Sequence, residues 1–130
     1  MWFLESSALV KLSALAAESS ALRAACADHQ IVASSLALTE VPRALARRDP
    51  EPVWGPTWVE VLTRLRLVDL DRSLLTRAGR LPPAGLSSLD ALHLATALAI
   101  PGLDAFVGYN ARLQSAAAGL GLLALSPGAA

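Results

Sequence analysis

Short apolar runs alternate with amphipathic helical stretches from one end of this chain to the other. That alternation predicts an α/β fold: three layers, α/β/α, around a short parallel sheet of four to five strands. Composition agrees. Hydrophobic residues make up 54% of the chain, mostly Ala and Leu, and aromatics only 5%. Ala and Leu suit closely packed helices, whereas a β-sandwich would carry more Val, Thr and Tyr. At 130 residues the chain has the commonest size for one domain, and it is read as a single domain over 1–130.

Each element has a local reason. Trp2-Phe3-Leu4 reads as a buried strand. Ser6-Ser7 offer N-caps for a helix carrying Leu9, Val10 and Leu12, and a second helix is expected from about Ala16 to Asp28. Ile31-Val32-Ala33 is a second strand. Ser34-Ser35 open a helix with Leu38, Val41 and Leu45 on one face, and Pro42 inside it implies either a late start near Thr39 or a bend. Asp49 to Pro52 reads as a loop. Gly55-Pro56 is expected to start a helix with Trp58, Val61, Leu62 and Leu65 on one face. Arg66 to Leu70 is a strand, Asp71 caps a short helix ending near Arg80, and Leu81 to Gly85 is turn-rich. Ser87 caps a helix running to Ile100 and stopped by Pro101. Ala105-Phe106-Val107 is a fourth strand, Asn110 caps a helix over Ala111–Ala118, and Leu122 to Leu125 forms the last strand.

Charge narrows the function. Eleven basic and eleven acidic residues leave zero net charge, which argues against a strongly basic nucleic-acid binder. Polyanion contact must come from local clustering. All the basic residues except Lys11 are Arg, which suits bidentate phosphate contacts but also follows from coding bias. Cys26 is alone, so no intramolecular disulfide forms, and it reads as a small core residue. No basic leader opens the chain. The uncharged stretch from Leu113 contains Ser, Gly and Pro and falls short of the roughly 20 apolar residues of a membrane span. A cytoplasmic location is expected.

Ligands of open α/β sheets sit outside the carboxyl ends of the strands. Glu5 follows the first strand and Asn110 the fourth, while Glu40 and Asp90 lie near helix starts. Carboxylates gathered there repel unless a cation joins them, and an oxygen-only set suits Mg²⁺ or Mn²⁺. Such an ion polarises a phosphodiester and activates water. Each residue also has a structural reading. Asp90 fits a capping box with Ser87, Asn110 is an ordinary N-cap, and Glu40 fits solvated helix surface. Glu5 is hardest to dismiss, because a charge beside a buried strand needs a partner. His93, three residues after Asp90, is read as a packed, hydrogen-bonded core residue, with assistance at the site as the alternative. Arg43, Arg47 and Arg48 near Glu40 either track phosphates or solvate a helix end. Arg112 is placed beside the site. Trp58 is read as core, Trp54 as a contact for a partner, and His29 as a loop residue.

Four ordered segments resemble a known family: Leu4-Glu5-Ser6-Ser7-Ala8-Leu9-Val10-Lys11-Leu12, Glu40-Val41-Pro42-Arg43-Ala44-Leu45, Leu86 to Ala97 and Leu103 to Asn110. Together they resemble the PIN-domain ribonucleases, in particular the toxin half of VapBC-type toxin–antitoxin pairs. The resemblance implies a Mg²⁺- or Mn²⁺-dependent endoribonuclease, an RNA substrate, a homodimer and a cognate antitoxin that blocks the site. It places the acidic positions on Glu5, Glu40, Asp90 and Asn110, with Glu5, Glu40 and Asp90 as metal ligands. The chain departs from the pattern at three places. Glu5 stands where Asp is usual, Asn110 where an acid is usual, and Gly108 where a hydroxyl residue is common. Asn110 keeps a carbonyl oxygen but loses a charge, so weakened cleavage is expected. The alternative is a non-catalytic PIN-like module that binds antitoxin or RNA. A receiver-like signalling domain wants paired acids after the first strand and a Lys after the last, and this chain has neither.

Overall fold

The computed structural model describes residues 1–129. Its strands are β1 (Trp2–Leu4), β2 (Ile31–Ser34), β3 (Leu65–Val68), β4 (Ala105–Val107) and β5 (Ala124–Leu125), all parallel in the order β3-β2-β1-β4-β5. Parallel neighbours require crossovers. These are supplied by α1 (Ser6–Ser13), α2 (Ser19–Cys26), α3 (Ala37–Ala46), α4 (Glu51–Arg64), α5 (Arg72–Ala78), α6 (Ser88–Leu98) and α7 (Ala111–Gly119). The expected three-layer α/β/α class is the one observed.

Side-chain alternation along the strands divides the core in two. Leu4, Ile31, Ala33, Ala105 and Val107 face Leu9 and Leu12 of α1, Leu22 and Cys26 of α2, Val41 and Leu45 of α3, and Trp54 and Trp58 of α4. Phe3, Val32 and Phe106 face Leu94 and Ala95 of α6 and Leu113 and Ala117 of α7. Phe3 and Phe106 are register partners, and their rings stack at 5.4 Å between centroids with an 8° interplanar angle. Cys26 is fully buried, as its Ala-rich surroundings suggested. Among the described residues no helix is long and apolar enough to cross a membrane.

Several boundaries differ from expectation, each for an identifiable reason. The side chain that caps α1 is Glu5, not Ser6 or Ser7: its Oε2 accepts from the Ser7 N–H at 3.1 Å. Helix α2 is shorter than expected. Helix α3 begins at Ala37 and runs through Pro42, whose missing N–H leaves the Leu38 carbonyl without its helical donor. Its buried face is Ala37, Val41 and Leu45, at four-residue spacing, and Leu38 is turned outward. Helix α4 starts at Glu51 rather than at Gly55-Pro56, because Pro52 occupies the first turn, where no donor is lost. That extra turn places Trp54 four residues before Trp58, and both indoles are buried. The partner-contact reading of Trp54 is thereby corrected: its Nε1 donates to the Asp49 carbonyl at 3.0 Å. Leu65 belongs to β3, not to the helix face, and β5 pairs only at Ala124–Leu125. His29, in its bend, stacks on Trp2 with centroids 4.0 Å apart.

The segment after β5 is tied back to the β4–α7 connection. Ser126 Oγ donates to the Gly108 carbonyl at 2.5 Å, Tyr109 Oη donates to Pro127 O at 2.7 Å, and Gln114 Nε2 donates to Leu125 O at 2.9 Å. Burial, aided by the Glu18 charge, pushes the Tyr109 hydroxyl up to about 12, so it stays a donor throughout the physiological range.

Candidate active site

The strand order contains a reversal. From β1 the chain builds outward through β2 to β3, then returns through α5 and α6 to lay β4 on the other side of β1. The crevice at the carboxyl ends of β1 and β4 is therefore the topological switch point, where open α/β sheets bind ligands. Glu5 directly follows β1, and Gly108, Tyr109 and Asn110 directly follow β4. Helices that leave a strand start at this edge, and so does α6, which runs back toward the start of β4. Their N-terminal dipole ends favour negative charge here.

Glu5 is only 6% exposed although its side chain is acidic. Ser7 supplies both of its hydrogen bonds, from the backbone N–H and from Oγ, and the same Oγ accepts from the Tyr109 N–H at 2.9 Å. Ser7 thus links the end of β1 to the end of β4. Burial raises the Glu5 carboxyl above its ordinary value, against the opposing effect of Ser7 and His93, and the nearby Asp90 charge raises it further.

The second acidic position is paired with an imidazole. Glu40 Oε1 is hydrogen-bonded to His93 Nε2, and Ser6 Oγ donates to the same oxygen at 2.8 Å. His93 is 1% exposed and sits edge-on to Phe3, so it is both a packed core residue and a member of the site. Its Nδ1 is buried with no partner among the described residues. Burial pushes the Glu40 carboxyl up, but the His93 and Ser6 hydrogen bonds outweigh that and hold it below its ordinary value. Ser6, His93 and Glu40 do not form a nucleophilic triad. Ser6 Oγ lies 3.3 Å from His93 Nε2, the same nitrogen that meets Glu40, whereas a triad uses the two ring nitrogens separately.

Asp90 sits in the first turn of α6. Ser87 Oγ accepts from the Asp90 N–H at 3.2 Å, but the reciprocal bond of a capping box is absent among the described residues, and the carboxylate makes no other hydrogen bond there. Asn110 does cap: its Oδ1 accepts from the Leu113 N–H at 3.2 Å, and the residue is exposed.

Gly108 explains the longer acid at position 5. A Cβ at Gly108 would lie 3.1 Å from Glu5 Oε2 and 3.0 Å from Gln114 Oε1, both tighter than ordinary contact. The space a larger residue at 108 would need is bordered by the ends of the Glu5 and Gln114 side chains.

The donors suit a hard divalent ion in chemical type. They are oxygens, and the Glu5 carboxylate, opposed by burial and by Asp90, gains most from a cation between the two. Among the described residues no group of three or more His, Cys, Asp and Glu side chains is spaced to share one ion. Glu5 and Asp90 offer only oxygen donors, the type Mg²⁺ takes. Glu40 is held apart by His93 and Ser6. Arginines sort clearly. Arg43 and Arg47 line a cleft of about 520 Å³ with Ser6, Ser7 and Glu40. Arg48 instead donates to the Leu15 carbonyl at 3.2 Å, and Arg112 lines a separate cleft with Pro82 and Pro83. Arg112 follows the cap residue Asn110 by two positions, at the start of α7. Sequence reasoning missed Ser6 and Ser7 as site residues; the polar run directly after a buried strand was the available signal.

A family model described as the PIN domain matches residues 2–117. The chain is 40% identical over 134 residues to ribonuclease VapC35 of Mycobacterium tuberculosis, covering 100% of this chain and 99% of that protein. It is 38% identical over 128 residues to ribonuclease VapC46 of the same organism, covering 96% of each. The crystal structure of M. tuberculosis VapC20, a sarcin-ricin loop cleaving toxin, superposes with a TM-score of 0.77 at 18% identity, covering 98% of this chain and 100% of that one; this likeness bears on the fold. The chain belongs to the PIN domain family.

Proposed function

We propose that this protein is a divalent-metal-dependent endoribonuclease, the toxin of a type II toxin–antitoxin pair, that hydrolyses RNA phosphodiesters at the β1/β4 crevice. The observation that carries the reading is Glu5, a buried carboxyl at the switch point of a PIN-family sheet whose charged form is disfavoured by burial and by the nearby Asp90 charge. Full-length relatives named as ribonucleases support it. Glu5 and Asp90 would hold Mg²⁺ or Mn²⁺, and the ion when bound would neutralise phosphate charge and acidify a water. Ser7 holds Glu5, and Ser6 and His93 hold one oxygen of Glu40, a residue that lines the cleft and would act as the proton acceptor for an attacking water. Asn110 caps α7 through its amide oxygen and so holds that helix in place. The partners of this reading are RNA, a cognate antitoxin and a second copy of the chain.

A second reading has its own support. Asn110 brings no charge and spends its oxygen on the cap, and three carboxylates are not gathered around one point. That favours a PIN-like module that binds RNA or antitoxin without cutting. The separating experiment is cleavage of a fluorescent RNA with Mn²⁺ or EDTA, for the natural protein, Asn110→Asp and Asp90→Asn. Cleavage that needs Mn²⁺, rises in Asn110→Asp and vanishes in Asp90→Asn is expected. Inactivity of both the natural protein and Asn110→Asp, with a melting midpoint unmoved by Mn²⁺, sinks the nuclease reading.

A further inference from the structure

We propose that Arg43 and Arg47 form a phosphate-binding ridge that carries the RNA backbone away from the scissile linkage; this rests on the endoribonuclease reading. The two residues follow Glu40 by three and seven positions on one helix. At 3.6 residues per turn all three share a face, with the arginines about 4.5 Å and about 10.5 Å further along the axis. Arg47 keeps helical backbone angles (φ −71°, ψ −15°) although it caps α3, so the face continues through it. Both arginines line the cleft that contains Ser6, Ser7 and Glu40, and both also line a second cleft, of about 470 Å³, on their other side with Pro42 and Trp54. They therefore stand as a ridge between two hollows, leading outward from the acidic crevice.

Their charges are uncompensated. Glu40 lies one helical turn before Arg43, in position to pair with it, yet its carboxylate is committed to His93 and Ser6. Glu51 borders the second cleft but pairs with neither arginine. Among the described residues neither guanidinium makes a hydrogen bond or ion pair, while Arg48, just past the helix end, donates to the Leu15 carbonyl. Basic residues also suit a helix C-terminus without any ligand. That reading accounts for charge at the end of α3, but not for two free guanidiniums facing the same cleft as the acid site. In a chain of zero net charge, this is local clustering of the kind a polyanion needs. Guanidiniums grip phosphate oxygens bidentately, whatever the base, so the ridge would position the strand rather than read its sequence.

The test is fluorescence anisotropy with a labelled single-stranded RNA in EDTA, where no cleavage occurs, over a range of salt concentrations. The variants are Arg43→Gln/Arg47→Gln, Arg43→Lys/Arg47→Lys and, as a control, Arg48→Gln. Both ridge positions are exposed and Gln is a good helix former, so folding is checked simply by circular dichroism. The Gln pair is expected to lose about tenfold or more in affinity and to lower the salt slope by about 1.4, two contacts at 0.7 each. The Lys pair keeps the slope and loses part of the affinity, and Arg48→Gln changes neither. If the natural protein binds RNA and the Gln pair keeps its full slope, the ridge is wrong and the nuclease reading stands. If the natural protein cuts RNA with Mn²⁺ yet binds none in EDTA, the ridge also fails. A polyglutamate peptide that binds as tightly as RNA and loses affinity equally in the Gln pair makes this a protein-docking surface instead, overturning the proposal.

Discussion

Replacing Gly108 with Ser tests whether positions 5 and 108 are packed as one unit. Gly108 does not have a positive φ, so the new side chain meets no backbone strain. Its Cβ would meet Gln114 Oε1 at 3.0 Å, Glu5 Oε2 at 3.1 Å and Glu5 Cβ at 3.4 Å. Overpacking of this kind costs about 1–3 kcal/mol. The first two neighbours are ends of side chains, which can yield, so the lower half of that range applies. Losing a glycine also restricts the unfolded chain and returns about 0.4–1 kcal/mol. The net expectation is a loss of about 1 kcal/mol, or roughly 3–5 °C in melting midpoint at this size. Glu5→Asp withdraws the carboxylate by one C–C bond, about 1.5 Å, and so removes the Glu5 Oε2 contact, leaving Gln114 to yield. Alone it leaves a small void and costs about 1 kcal/mol. Combined, the two changes should fit each other, with a coupling of about 1 kcal/mol or more in favour of the double variant. Urea denaturation of the four proteins measures this directly. Additivity within about 0.5 kcal/mol, or an unchanged midpoint for Gly108→Ser, would show that the two positions do not share space.

Two further outcomes follow from the site. Because the Glu5 carboxyl is raised in the folded protein, its contribution to stability is fully present below the unfolded value of 4.5 and is lost as pH rises through the folded value. In EDTA, Glu5→Gln should therefore melt higher than the natural protein at neutral pH and lose that advantage below about pH 4.5; a gain that is independent of pH would contradict it. His93→Ala removes a buried ring, leaves a cavity against Phe3 and strips Glu40 of its partner. A cost of about 2–4 kcal/mol in urea denaturation is expected, whereas a cost below about 0.5 kcal/mol would mean that the pair adds nothing to the fold.

What the sequence disclosed and what it hid divide along local and tertiary lines. Strands such as Ala105-Phe106-Val107 were legible because they are fully buried and bounded by turn residues. The caps of Asp71, Ser87 and Asn110 were legible because capping depends on residues two or three positions away. Glu5 stood out as a charge joined to a buried strand. The start of α4 was hidden because Pro52 and Pro56 send the same local signal. The buried pair Trp54 and Trp58, four residues apart, decides between them, and that is a tertiary fact. Pro42 was ambiguous for the same reason, since packing of Val41 and Leu45 carries the helix past it. Most hidden was the Glu40–His93 pair, because it joins residues 53 positions apart and nothing near His93 announces its partner. The exchange of bulk between Glu5 and Gly108 was visible as two separate departures from a pattern. Only their contact shows them to be one.

The central strand has a consequence for the order of synthesis. β1 is made before the other four strands, yet it occupies the middle of the sheet and completes its pairing only when Ala105–Val107 arrives to lie beside it. Glu5 meets Tyr109 through Ser7 only then, and the segment that ties down Gly108 comes later still, at Ser126 and Pro127. No amino-terminal fragment can contain the finished crevice. Contacts this distant in sequence also slow folding. Nascent chains that end before β4 therefore lack the assembled crevice.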